Sequence, residues 1–270
     1  MAFTSGTASN YLDLLDKLKA FVTTTMTPAG ERWSVLRWVP GPPAELVLQG
    51  PGTAGTDAIV VGIQSQPGVD FGNWKLRGFT AWNGALGFDA QYMQSAAYYA
   101  SLMTASMPYW IVANGRRIVV VVKTSTYYEM MYLGWFLPYA TPAQYPYPML
   151  VSGSASYSGA RWSESGRMHV VKAASYPPAG FFKPVTGWVT SFNVWPVSNY
   201  VSNTLRESPD GSYPLLPIVL NYLGELDGCF DVPGYGNAAE NIVTVGGVDH
   251  LVVPHVGRTG YGDYWALRLA

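Results

Sequence analysis

Cysteine is almost absent from this sequence. Cys229 is the only cysteine among 270 residues, which excludes a disulfide framework and a cysteine-based metal cluster within the chain. The chain is long enough to bury a sizeable core, so its stability does not depend on disulfides. The segment "DGCFDVPG" around Cys229 carries no signature of an activated thiol, and we expect a small apolar side chain near a turn.

Charged residues are also scarce. Only 12% of the residues are charged, where about 25% is usual for a globular domain. The basic residues occur singly or in pairs such as Arg116-Arg117, a distribution that predicts no nucleic-acid binding. Uncharged side chains must cover much of the surface, and aromatic side chains are enriched at protein interfaces. The composition therefore favours a subunit of an assembly, the alternative being a monomeric β protein with an adhesive surface.

Long apolar runs and targeting signals are missing as well. No uninterrupted apolar run reaches the roughly 18 residues of a membrane-spanning helix. The first residues, "MAFTSGTASN", do not combine a basic segment with a following apolar one. We therefore expect neither a membrane span nor a signal peptide.

The histidines do not form a recognisable metal motif. The sequence contains no H-E-x-x-H pattern. If "HLVVPHV" is one strand, His250 and His255 point to opposite faces because they are five positions apart. A structural or surface role is expected for these two residues and for His169. We predict no metal site.

Catalytic and cofactor motifs are not apparent either. No G-x-S-x-G motif occurs. The acidic residues Glu225, Asp227 and Asp231 lack calcium-loop spacing, although they could in principle supply a carboxylate pair for glycoside hydrolysis. Carboxylates in a glycine-rich turn more often bond to backbone N–H groups. We predict no catalytic residue, no cofactor and no enzymatic activity.

One glycine pattern has the spacing of a dinucleotide-binding loop. Gly50, Gly52 and Gly55 in "ELVLQGPGTAGTDAIVVGI" have the spacing G-x-G-x-x-G. A dinucleotide-binding loop needs a helix after its last glycine, whereas "TDAIVVGI" is typical of a strand, and Pro51 removes an amide that would face the phosphate. The pattern predicts a glycine-rich connection between two strands.

The sequence predicts one amphipathic helix near its start. Apolar residues recur at helical spacing from Tyr11 to Val22. Ser9 or Asn10 is suited to cap the helix, and Asp13 lies in its first turn. The helix should end before Pro28.

The rest of the chain predicts strands. Short apolar runs are punctuated by Gly, Pro and Asn, which indicates a mainly β fold with sandwich or barrel-like antiparallel sheets, with an α+β fold left open. "YWIVANGRRIVVVV" predicts a β-hairpin with a type I′ turn at Asn114-Gly115. The segment from Asp89 to Ser106 is either a buried helix or irregular. A turn-rich stretch from Ser152 to Gly166 suggests two halves, 1–151 and 152–270, with one continuous domain as the alternative.

Aromatic residues among prolines are the remaining functional candidates. They could form a platform for carbohydrate, but aromatic side chains also serve as interface anchors. Without an evident polar group beside them, the interface hypothesis is favoured, and the apolar side of the helix is a further contact element. The candidate contact residues are Leu14, Leu18, Trp135, Tyr139, Tyr145 and Tyr147.

Several segments resemble virion structural proteins of tailed bacteriophages. They include "ELVLQGPGTAGTDAIVVGI", "NWKLRGFTAW", the stretch from "PYWIVANGRR" to "YPMLVSGS", and the terminal "RTGYGDYWALRLA". The resemblance implies a tail or baseplate component that is assembled in the host cytoplasm and contacts copies of itself and other virion proteins. A head-associated or decoration protein and a receptor-binding or carbohydrate-binding virion module are the alternatives. No catalytic residue is carried over by the resemblance.

Overall fold

The computed structural model describes residues 1–52, 54–68, 70–164, 166–173, 177–196, 215–234 and 236–269. Within these ranges the chain forms 19 strands and one α-helix, α1 (Tyr11–Ala20). The strands are β1 Ala2–Ala8, β2 Ser34–Val39, β3 Glu45–Gly50, β4 Ile59–Pro67, β5 Gly72–Phe79, β6 Tyr98–Ala100, β7 Met107–Ala113, β8 Arg117–Thr124, β9 Tyr127–Trp135, β10 Leu137–Pro138, β11 Met149–Ser152, β12 Ala179–Lys183, β13 Gly187–Val189, β14 Val194–Trp195, β15 Leu216–Leu220, β16 Gly224–Asp231, β17 Ile242–Val245, β18 Val248–Pro254 and β19 Tyr264–Arg268.

The helix begins where the sequence predicts. Asn10 Oδ1 accepts hydrogen bonds from the N–H groups two and three residues later, at 2.9 and 3.0 Å. The N–H of Ser9, one residue before the cap, donates to the Asp13 carboxylate at 2.7 Å, so Asp13 also holds the chain that enters the helix. A π-helical turn, Phe21–Thr25, continues the helix, and the helical segment ends before Pro28 as predicted.

The strands form three antiparallel sheets across the described residues, which confirms the mainly β prediction. The first sheet has the order β1-β7-β8-β9-β11-β12-β13. The second has the order β14-β15-β16-β19-β18-β17, with β10 also paired to β16, and the third has the order β2-β3-β4-β5-β6. No helix within the described ranges is long and apolar enough to cross a membrane.

The first sheet lies between the other two, and strand β8 illustrates the consequence. Val120 and Val122 belong to a core cluster shared with α1 and the third sheet. Val119 and Val121 belong to a second cluster shared with the second sheet. Successive residues of a strand point to opposite faces, so a strand that is covered on both faces is apolar at nearly every position. The run "RIVVVVKT" has this pattern.

The hairpin prediction for β7 and β8 is confirmed, but the predicted type I′ turn is wrong. Neither Asn114 nor Gly115 has a positive φ. Instead, Asn114 Oδ1 accepts hydrogen bonds from the N–H groups of Arg116 and Arg117 at 2.9 and 3.0 Å. This side-chain closure needs no left-handed residue. Gly115 is required for another reason, because a Cβ atom there would lie 2.1 Å from the carbonyl oxygen of Gly52.

The glycine-rich segment is a connection between strands, as predicted. It joins β3 to β4, which pair in antiparallel register from Glu45 and Gln64 to Gly50 and Ile59. The N–H of Gly52 donates to the carbonyl oxygen of Gly115 at 2.8 Å. The connection therefore packs on the turn between β7 and β8.

Strand pairing describes the segment from Asp89 to Ser106 and the chain around residue 152. The segment from Asp89 to Ser106 is irregular apart from β6, which pairs with β5 of the third sheet. The point between residues 151 and 152 falls inside β11, and β11 pairs with both β9 and β12. The first sheet therefore contains strands from both suggested halves of the chain.

Candidate functional site

Four half-buried aromatic side chains form a row at one edge of the first sheet. In each of the three successive contacts the ring centroids are 5.7 Å apart and the rings meet edge to face. Such contacts contribute about 0.5–1.5 kcal/mol each beyond the burial of area. The members of this aromatic row, in order, are Trp135, Tyr147, Phe182 and Trp188. Because the rings hold one another, a partner would meet a surface that is already ordered.

Hydrogen bonds fix the row to the third sheet and its connections. Tyr147 Oη donates to the carbonyl oxygen of Phe79, at the end of β5, at 2.7 Å. Burial raises the pKa of Tyr147 to about 12, so the phenol stays protonated and able to donate. Trp188 Nε1 donates to the carbonyl oxygen of Met93 at 2.8 Å. The row therefore closes the edge between the first and third sheets.

A cavity of about 370 Å³ adjoins the first ring of the row. This volume lies in the range of sites that hold a small ligand or a few side chains. We call it the proline pocket. Its apolar walls are formed by Trp135, Phe136, Tyr145, Pro138, Pro142, Pro146 and Pro148. Asp57 and Arg116 add one carboxylate and one guanidinium to the lining.

A polar network holds Arg116 at the pocket. Asn114 Nδ2 donates to Asp227 Oδ2 at 2.9 Å, and the Arg116 and Arg117 guanidinium groups lie 3.4 and 3.5 Å from the same oxygen. This network ties the turn between β7 and β8 to β16 of the second sheet. Asp57, by contrast, makes no ion pair with any residue that the structure describes.

Two of the predicted contact residues are enclosed by their own chain. Leu14 and Leu18 on α1 are completely buried in the core between the first and third sheets. Side chains that are fully covered offer no contact area to a partner. The helix docks on its own chain, and we do not retain these two leucines as contact residues.

The other four predicted residues lie in one region. Trp135 and Tyr145 line the pocket, and Tyr147 is the second member of the aromatic row. Tyr145 is itself nearly buried, and its Oη donates to the carbonyl oxygen of Phe182. Tyr139 is 59% exposed, and its Oη donates to Glu225 at 2.9 Å.

Sequence reasoning missed the far half of this site. Phe182 and Trp188 lie in β12 and β13, about forty residues beyond the proline-rich loop. Their signal was the aromatic pair and lone tryptophan in "GFFKPVTGWV", a pattern typical of a short hairpin. Asp57 and Arg116 line the pocket because the connection between β3 and β4 meets the turn between β7 and β8 in the folded chain. Their separation in the sequence gives no sign of this contact.

Two buried ion pairs lie away from the pocket. Lys172 pairs with Asp231, and Arg167 pairs with Glu129, and all four side chains are completely buried. Burial lowers the pKa of Lys172 and raises that of Asp231 to about 6, with the attraction between the two opposing both shifts. The sequence indicates these buried charges only through Glu129 and Lys172, which are the lone charged residues of the apolar runs "YYEMMYLG" and "MHVVKAA".

The acidic group predicted to lie in a glycine-rich turn lies on strand β16 instead. Glu225 accepts a hydrogen bond from a tyrosine, Asp227 holds the hairpin turn, and Asp231 pairs with Lys172. Gly228 within the segment has a φ of +73°, so the glycine bends the strand locally and does not end it. Each carboxylate is engaged by a different neighbour.

The histidines are placed apart from the pocket. The rings of His169 and His255 have centroids 5.5 Å apart, whereas His250 packs against Phe230. Burial lowers the pKa of all three histidines. No three His, Cys, Asp or Glu side chains within the described ranges are positioned to hold a metal ion.

A comparison of the sequence with known protein families finds no match, and a search of curated proteins finds none either.

Proposed function

We propose that this chain is a non-enzymatic structural subunit of a tailed-bacteriophage virion, in the tail or baseplate region. It acts through contacts with copies of itself and with other virion proteins. The observation that carries the proposal is the aromatic row joined through Trp135 to the proline pocket. A preformed aromatic surface with few charges has the composition of a protein interface. The sequence resemblance to virion structural proteins supplies the class of particle.

Apolar side chains at exposed turns support the same role. Val185 is fully exposed at the turn between β12 and β13, with a φ of +76°. A β-branched residue is strained in this conformation, and exposure gives it no compensating burial within the chain. Tyr92 and Met93 are also exposed, and Met93 accepts the hydrogen bond from Trp188. A chain that acts alone has no evident use for these side chains.

The experiment is to count this chain in purified particles by quantitative mass spectrometry. We expect a fixed copy number that matches a symmetry of the tail or baseplate. Particles should also be assembled with the Trp188→Ala variant, which removes the last ring of the row, and with Tyr157→Ala as a control outside the row and the pocket. We expect reduced incorporation only for Trp188→Ala. Absence of the wild-type chain from particles would refute the proposal.

A second candidate function is binding of a glycan receptor at the proline pocket. Asp57 and Arg116 beside aromatic walls provide an acceptor and donors for sugar hydroxyl groups. This function predicts that the isolated chain binds glycans and that Asp57→Ala weakens the binding. The subunit proposal instead predicts that the pocket is covered by protein in the particle. A position on the capsid surface would favour the head-associated alternative.

A further inference from the structure

The turn between β15 and β16 presents an unusual tyrosine. Asn221 and Tyr222 both have left-handed backbones, with φ values of +46° and +61°, and the N–H of Leu223 donates to the carbonyl oxygen of Leu220 at 2.7 Å. Turns of this kind usually place glycine second, because a side chain there is strained. Tyr222 is nevertheless 85% exposed. A strained residue whose side chain is not packed within its own chain points to a function outside it.

This tip lies beside the proline pocket on the same edge of the molecule. The N–H of Tyr139 donates to the carbonyl oxygen of Leu223 at 2.9 Å. Pro138, part of the pocket wall, lies opposite Gly224 in the pairing of β10 with β16. The tyrosine tip and the wall of the pocket are therefore joined through adjacent strands.

The pocket matches the chemistry of a phenol. Its aromatic and proline walls suit a ring, and the carboxylate of Asp57, which has no cationic partner among the described residues, suits a hydroxyl donor. A tyrosine combines these two features in one side chain. The cavity of about 370 Å³ is in the size range of sites that enclose a small ligand or side chain. A charged side chain would gain less from walls that are mostly apolar.

We propose that Tyr222 of a second copy of this chain occupies the proline pocket, and that the contact is reciprocal. Because the tip and the pocket are neighbours on each chain, inserting one tip brings the other tip towards the other pocket. Such self-complementarity defines a two-fold dimer. The phenol hydroxyl donates to Asp57 of the other copy, and the ring packs against the apolar walls. This inference rests on the proposed function, since it names one of the subunit contacts.

The test is sedimentation of the purified full-length chain over a wide concentration range. Wild type should dimerise, and Tyr222→Ala should weaken dimerisation on the order of 30-fold or more, as expected for a central aromatic anchor. Tyr222→Phe keeps the ring but loses the hydroxyl, and should weaken it roughly tenfold or more. Tyr157→Ala is the matched control, because Tyr157 is also exposed, at 47%, lies outside the aromatic row and the proline pocket, and should have no effect.

A mixing experiment tests whether the tip of one copy occupies the pocket of the other. Ala54 lines the pocket, so Ala54→Trp should block it while leaving Tyr222 intact. At a concentration that populates the wild-type dimer but not the Tyr222→Ala dimer, neither Ala54→Trp nor Tyr222→Ala should associate alone. Their mixture should form a heterodimer, because the free pocket of one variant accepts the tip of the other. Formation of that heterodimer supports the proposal.

Three results would overturn the inference: a wild type that stays monomeric at every concentration, a Tyr222→Ala variant that dimerises like wild type, or a mixture that fails to associate. Folding of each variant is checked by thermal unfolding, and the Tyr222 variants decide the question if Ala54→Trp does not fold. Particle incorporation is measured separately. Incorporation without dimerisation contradicts the tyrosine contact alone, whereas absence from particles contradicts the proposed function.

Discussion

The indole Nε1 of Trp265 donates a hydrogen bond to Nδ1 of His169 across 3.2 Å. An indole N–H can only donate, so Nδ1 of His169 must be unprotonated. Nε2 of the same ring lies 2.9 Å from the carbonyl oxygen of Tyr128, where it carries the proton and donates. His169 is therefore neutral, and a second proton would oppose the bond from Trp265.

Acid should destabilise the fold through this pair of contacts. Burial, followed by the neighbouring His255, lowers the pKa of His169 well below its usual range, and burial also lowers the pKa of His255. The unfolded chain then binds more protons below about pH 6.5, so stability falls as pH falls. Each histidine contributes a slope of at most about 1.4 kcal/mol per pH unit.

Other charged groups near the two histidines set the size of the effect. Arg167 and Arg258 disfavour a proton on His169, and Asp263 favours one on His255. Asp231, with a pKa raised to about 6, binds a proton in the folded state and so acts in the opposite direction.

Urea unfolding at pH 7 and pH 5 should show a lower free energy of unfolding at pH 5. His169→Gln should reduce this pH dependence, and an unchanged dependence would contradict the assignment.

The ion pair of Lys172 with Asp231 provides a second test. Both side chains are completely buried, so Lys172→Met leaves a buried carboxylate without its partner and should cost about 3–5 kcal/mol of stability. Replacing both residues, with Lys172→Met and Asp231→Leu, should recover most of that loss. Chemical denaturation of the single and double variants measures the coupling. Additive losses in the double variant would show that the two charges do not depend on each other.

Docking of the glycine-rich connection is tested at Gly115. A Cβ atom there would lie 2.1 Å from the carbonyl oxygen of Gly52, so Gly115→Ala must separate two backbone segments. We expect a loss of roughly 1–3 kcal/mol. Gly30→Ala is the matched control, because a Cβ atom at Gly30 meets nothing within 4 Å. Equal melting temperatures for the two variants would argue against the docked connection.

The anchoring of the aromatic row is tested by removing one hydroxyl group. Tyr147→Phe keeps the ring contacts but loses the hydrogen bond to the carbonyl oxygen of Phe79, and should cost about 1 kcal/mol. Tyr139→Phe removes a hydroxyl group from a tyrosine that is well exposed, and should change stability by less than about 0.5 kcal/mol. Denaturant unfolding compares the two variants. A larger loss for Tyr139→Phe would contradict the described geometry.

Features determined by neighbouring residues were predictable from the sequence. The cap at Asn10, the strand connection around Gly52 and the hairpin at Asn114 each depend on a few adjacent side chains. The turn type at Asn114 was mispredicted because glycine next to asparagine usually signals a left-handed pair. Here the asparagine side chain closes the turn, and Gly115 provides close approach to another loop.

Features determined by distant residues were not predictable. Trp135 and Trp188 join one aromatic row although more than fifty residues separate them, and Lys172 and Asp231 are 59 residues apart. The sequence does contain the local sign of a central sheet, since β8 is apolar on both faces. It does not say which sheets cover those faces, because similar apolar strands occur throughout the chain.

The most direct test of the central claim is a side-chain-resolution cryo-electron microscopy map of purified particles. We predict this chain in symmetry-related copies, with the aromatic row and the proline pocket covered by neighbouring protein. Absence of the chain from the particle, or its presence with the row and the pocket facing solvent, would contradict the proposed function.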